Sequence, residues 1–151
     1  MQPIKPVNRF GLRIKFGPLI LLLALMACSY VAPYSQIAYQ QATSLKVDAL
    51  ALMDKATEPY ASHADDVSDL ETKVEKAFEY AKGRPKNELS TKQWQILKDP
   101  DGHLLGGFLK RWKAETTLSP TFIKEAKGLV GDAFDTISGL ESGKIKSDEI
   151  Q

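Results

Sequence analysis

The sequence predicts an all-α protein: a small helical bundle of three long helices plus a short broken helical segment, placed after an N-terminal leader. In three separate stretches apolar residues recur at alternating steps of three and four, the spacing of one helical face. Proline, glycine and serine stand between these stretches where helices stop and start. Nowhere do apolar and polar residues alternate over a strand's length.

Lys5, Arg9, Arg13 and Lys15 are the only charges ahead of Cys28, and Leu19 to Ala27 is wholly apolar. A basic region followed by a short apolar one has the polarity of a secretory leader. The apolar run from Phe16 to Cys28 is 13 residues long, short of the ~20 that a helix needs to cross a bilayer. Extension through Ala32 brings it to 17 before Pro33 stops it, so an uncleaved signal anchor is the alternative. The sole cysteine closes the run, behind Leu25, Met26 and Ala27. This ending resembles the lipobox of bacterial lipoproteins, in which a leucine, two small residues and a cysteine are read by the lipoprotein signal peptidase. Met26 departs from that pattern, where a small or β-branched residue is usual, and the resemblance covers the leader alone. It implies that residues 1–27 are a signal peptide, with Leu25, Met26 and Ala27 as the peptidase recognition residues. Cys28 then becomes a thioether to diacylglycerol and the new amino terminus is acylated. Each buried methylene contributes ~0.8 kcal/mol, and more than one chain makes the anchoring stable. In such proteins an aspartate after the cysteine commonly signals retention in the inner membrane; here Ser29 follows, which implies the periplasmic face of the outer membrane, with the inner membrane as the alternative.

Loss of 27 of the 151 residues leaves 124, enough for one domain with its own core. The leader carries four of the 20 basic residues and none of the 19 acidic ones, so the remainder has 16 against 19, about −3. A weakly acidic domain without a basic stripe has no general attraction for nucleic acid. With its one cysteine lipidated it can form no internal disulfide, so packing must hold it together.

Residues 28–36 read as a lipidated tether, 37–141 as the bundle domain and 142–151 as a polar, frayed tail. The first stripe is Ala38, Ala42, Leu45, Ala49, Leu52 and Ala56, widened by Ile37, Val47, Leu50 and Met53, so its helix is expected to touch more than one neighbour. Pro59 cannot sit inside a helix without losing a hydrogen bond. The second stripe, Tyr60, His63, Val67, Leu70, Val74, Ala77 and Ala81, therefore reads as the return arm of a hairpin; one long helix kinked at Pro59 is the competing picture. Gly83 suits a left-handed C-cap, with Pro85 unable to continue the helix. Ser90 with Gln93 reads as a capping-box start for a short helix carrying Trp94, Ile96 and Leu97. Asp99, Pro100, Asp101 and Gly102 make a turn, and Gly106 and Gly107 point to a bend or a close backbone contact. Ser119 and Pro120 form an N-cap and first-turn pair for the last helix, whose stripe is Ile123, Ala126, Val130, Ala133, Ile137 and Leu140, with Phe122, Leu129 and Phe134 beside it and Gly128 and Gly131 open to close approach by another helix.

No catalytic constellation, cofactor motif or metal-ligand set is evident. His63, Asp65 and Asp66 lie within one helical turn, but the aspartates suit the positive end of a helix dipole. The Asp99 to His103 segment lacks the ligands of a calcium loop. No serine stands in a nucleophile elbow. The surface stretch that most invites a partner is Gly102 to Lys113, where Phe108 and Trp112 lie among Lys110, Arg111 and Lys113; it reads as a docking face for an envelope protein or for anionic headgroups, or else as an ordinary core-forming helix. The function expected is that of a membrane-anchored, noncatalytic envelope lipoprotein that binds or scaffolds another protein. A periplasmic enzyme or small-ligand binder is the second reading, and an inner-membrane subunit with an uncleaved anchor the third.

Overall fold

The computed structural model describes residues 32–145. Cys28, its peptidase signal at Leu25, Met26 and Ala27, and the tail beyond residue 145 lie outside these. Every regular element among the described residues is helical: α1 (Gln36–Met53), two 3-10 turns (Asp54–Thr57 and Tyr60–Ser62), α2 (Ala64–Lys82), α3 (Glu88–Lys98), α4 (Leu105–Glu115) and α5 (Pro120–Glu141).

All of the first apolar stripe is buried, as are Val67, Leu70, Val74, Ala77 and Ala81 of the second and Ile123, Ala126, Val130, Ile137 and Leu140 of the third. α1 packs against α2 on one side and α5 on the other, and α3 also touches both α2 and α5. Alanines at 38, 42 and 49 let α1 approach its neighbours closely, while each fully buried Leu or Met adds about 1.5–3 kcal/mol. Between α3 and α5 the fully buried Trp94 and Phe134 meet edge to face, their centroids 5.8 Å apart.

Pro59 stands in neither long helix. It caps the second 3-10 turn in extended backbone, and α1 and α2 fold back on one another, with Lys73 Nζ 3.4 Å from Asp48. Several expectations are corrected. Ile37 and Val47 do not widen the buried face of α1; both are exposed. Gly83 is right-handed, with φ −74°, and the left-handed residue of this loop is Lys86. The interval between α2 and α5 holds two separate helices of 11 residues each. Ser90 caps nothing: α3 begins before it, and the chain buries this serine. The first residues after α5 are not frayed, for Gly143 turns at φ +70° and Ile145 folds back so closely that a Cβ on Gly139 would lie 2.3 Å from its Cδ1.

Ser90 is buried because it serves a carboxylate. Glu141, the last residue of α5, has a fully buried side chain. Its Oε1 accepts from Ser90 Oγ at 2.5 Å and from Asn87 Nδ2 at 3.1 Å. Its Oε2 accepts from Arg84 Nη1, whose second amine donates to the carbonyl of Pro33. Asn87 also donates to the last turn of α2 at Ala81 O, 3.0 Å away. Ser35, the N-cap of α1, donates its backbone N–H to Glu141 O at 3.4 Å and shares a 3.2 Å hydroxyl bond with Tyr80. One carboxylate thus gathers the start of α1, the ends of α2 and α5 and the start of α3. Removing one member of a buried pair leaves the other charge uncompensated. Arg84→Ala should therefore lower stability by about 3 kcal/mol, whereas Lys46→Ala, at the rim of α1, should cost less than ~1 kcal/mol; urea unfolding of the two variants measures both.

Candidate functional site

The Gly102 to Lys113 stretch starts from a turn in which Asp99 accepts from Asp101 N at 2.9 Å with its side chain and from Gly102 N at 3.1 Å with its carbonyl. α4 then begins pressed against the backbone it has just left. A Cβ on Gly106 would lie 2.3 Å from Lys98 O, and one on Gly107 only 1.9 Å from Gly102 O. The two glycines are a close backbone contact, accepted in spite of the ~1 kcal/mol each costs a helix.

This contact turns the large side chains of α4 inward. Leu105, Phe108, Leu109 and Trp112 are all buried, Trp112 completely. Its indole N–H donates to Glu58 O at 3.0 Å, and its ring meets Tyr60 edge to face at 5.5 Å and His63 at 5.7 Å. Tyr60 N donates to Thr116 O at 2.9 Å and Leu118 N to Ala56 O at 2.7 Å. α4 and its exit therefore brace the α1–α2 connection. The expectation that Phe108 and Trp112 are presented to a partner is corrected: they form the core at this end.

The cations of α4 do face water. Lys110 pairs with Asp101 at 2.5 Å. That hydrogen bond, reinforced by the opposite charges, holds the Asp101 carboxyl below its usual range and the Lys110 ammonium above its own. Arg111 bonds Glu115 at 2.8 Å and lies 4.2 Å from the centroid of Phe122, which stacks on Phe108. Lys113 lies 5.9 Å from the Tyr60 ring centroid. With Phe108 and Trp112 buried, what Lys110, Arg111 and Lys113 present to water is chiefly charge, which steers a charged partner more than it anchors one.

His63 stands at the N-cap of α2, its Nε2 2.8 Å from Glu58 and its Nδ1 3.5 Å from Asp66. Asp65 and Asp66 occupy the first turn of α2, where the helix dipole favours them. Among the described residues no cluster of His, Cys, Asp or Glu is placed to hold a metal ion. A groove of about 520 Å³ runs between α2, α3 and α4. Its floor is Val74, Leu105 and Leu109, core residues themselves, and its rim carries Glu71, Glu75 and Lys98. Lys98 is committed to Glu75 at 2.5 Å and lies over Phe78. No serine, cysteine or histidine is among the lining residues. The groove escaped sequence reading because three helices, distant along the chain, contribute to it.

Two substitutions separate core from surface in this segment. Trp112→Ala should lower stability by about 3–5 kcal/mol through the cavity it leaves, while Lys110→Glu with Arg111→Glu should leave the melting temperature within a few degrees of the parent, as expected for exposed pairs screened by solvent; thermal unfolding reads both. Compared with protein-family models, curated proteins and solved structures, the chain matches none.

Proposed function

We propose that this protein is a lipid-anchored component of a bacterial envelope whose helical domain binds or scaffolds another protein without catalysing a reaction. The observation that carries the reading is the succession of basic residues, apolar run and Leu25, Met26, Ala27, Cys28. Six residues lie between Cys28 and the N-cap at Ser35, which makes seven steps of chain. At about 3.6 Å per residue at most, they hold the domain within roughly 25 Å of the lipid. The three long helices α1, α2 and α5 make up the bundle in this reading, with α3 and α4 bracing it. Its polar groups serve the architecture: Glu141 joins helix ends, His63 sits in a cap, and Lys98 on the groove rim pairs with Glu75. Such a domain suits recognition by surface complementarity. Ser29 after the cysteine favours the outer membrane, and a remainder of about −3 favours protein over nucleic acid as partner.

No described helix is long and apolar enough to cross a membrane; in the alternative reading the leader is an uncleaved anchor. Intact-mass analysis of the protein purified from membranes of its host should show residues 1–27 gone and acyl chains added, and Cys28→Ala should abolish both changes. A chain that keeps Met1 and carries no lipid would overturn the reading in favour of the uncleaved anchor.

A further inference from the structure

Arg84 donates to the carbonyl of Pro33 and Ser35 N donates to Glu141 O, so the chain is clamped to the domain from Pro33 onward. Five steps of chain run from Cys28 to Pro33, at most about 18 Å when extended. The end of the bundle that carries the clamp, made of the start of α1, the α2–α3 loop and the turn after α5, is held within that reach of Cys28. α5, at 22 residues, is about 33 Å long, so the Pro59 end comes equally close only when the whole bundle lies down.

The two ends differ in charge. Residues 79–92 and 138–145, at the clamped end, hold five cations and three carboxylates, whereas residues 54–66 and 99–117, at the other, hold four cations and seven carboxylates. Two of the three carboxylates at the clamped end are spent within the domain, Glu79 on Lys82 and Glu141 on Arg84; Glu88 is the third. The tail from residue 146, outside the described residues, adds Lys146, Asp148 and Glu149, which narrows the contrast without reversing it. Lys86 and Lys144 are exposed, with no ion pair among the described residues. Lys86 stands at φ +60°, a left-handed conformation in which any residue with a Cβ is strained. Tyr34 is 60 % and Ile37 55 % exposed at the same end. A phenol and an aliphatic side chain beside cations suit the level of phospholipid headgroups.

We propose that the clamped end is a membrane-contact face. It docks on anionic phospholipid headgroups, with Tyr34 and Ile37 at the interface and Lys86 and Lys144 on the phosphates, and it stands the bundle upright with the Pro59 end away from the bilayer. An anionic surface attracts this end and repels the other, so one orientation is favoured. The inference rests on the proposed function in one respect, that the chain is attached to a membrane just ahead of the domain; a lipid on Cys28 and an uncleaved leader both satisfy it.

The test places the full-length chain in phosphatidylcholine vesicles, with or without phosphatidylglycerol, that carry a nitroxide on a fraction of their headgroups. Trp94 and Trp112 are buried and give the baseline of the parent. Tyr34→Trp should add emission that the nitroxide quenches when phosphatidylglycerol is present, while Ala114→Trp, exposed on α4 at the far end, should add emission that escapes quenching. Lys86→Gly with Lys144→Gln in the Tyr34→Trp chain should lower the ratio of docked to free domains about thirtyfold, the effect of removing two cations from an anionic surface. The melting temperature should not fall, because glycine relieves the strain at position 86. Equal quenching at positions 34 and 114 would overturn the proposal, as would quenching at 34 that ignores phosphatidylglycerol or the two lysines. Intact mass of the same preparation separates this face from the anchor. A lipidated chain unquenched at position 34 loses the face alone, a chain that keeps its leader but is quenched there loses the lipid alone, and a chain that does not sediment with vesicles loses both.

Discussion

The architecture depends on the burial of one negative charge. Glu141 ends the longest helix with its carboxylate out of water, where an unpaired charge costs several kcal/mol. The protein meets that cost with donors from one loop and the helix that follows it, Arg84, Asn87 and Ser90. Because Arg84 also holds Pro33 and Glu141 also receives Ser35, the carboxylate fixes where the chain enters the domain. Such a network favours one arrangement of helix ends over near alternatives, since any shift of register leaves a buried polar group unmatched. For a domain with apolar stripes so alike, this is the interaction that distinguishes which ends belong together.

At the opposite end the same problem is solved differently. The α1–α2 connection is made of 3-10 turns around Pro59, which leave carbonyls that no helix satisfies. α4 supplies the partners: Trp112 donates to Glu58 O, and Leu118 N, just beyond the helix, donates to Ala56 O. The tryptophan fills space and saturates a carbonyl at once, which explains why a residue with one polar atom can be completely buried. That arrangement requires α4 to start against the end of α3, and only glycine at 106 and 107 permits it. The link from sequence to packing runs through two missing side chains.

What could be read from the sequence was what depends on local periodicity. The stripes of Ala42, Leu45 and Ala49, of Val67, Leu70 and Val74, and of Val130 and Ile137 are core because a period of 3.6 residues puts them on one face. Residues that answer to a distant partner were not legible. Ser90 followed by Gln93 has the form of a capping box, yet its hydroxyl serves a carboxylate 51 positions away. Trp112 among cations looks like an exposed anchor, but a glycine contact earlier in its helix rotates it inward. Ile37 and Val47 were assigned to the wrong side of α1, because a helix apolar on two faces gives no single direction from which to choose. The reading of the leader rests on a different kind of signal, the resemblance of Leu25 to Cys28 to a recognition sequence, and it stands apart from everything the helices reveal.

A helix at the edge of a bundle normally offers water its charges, as α2 does here. α1 instead commits its two charges to neighbouring helices, Lys46 to Asp135 and Asp48 to Lys73, and leaves Ile37, Gln40, Ser44, Val47 and Ala51 exposed. Ion pairs on a surface contribute little to folding, so the stability of the domain does not explain this arrangement; nor does the core, which α1 fills with its opposite face. With the aromatics of α4 buried and Lys98 beside α3 committed to Glu75, the outer face of α1 is one part of the domain whose side chains the fold leaves unused.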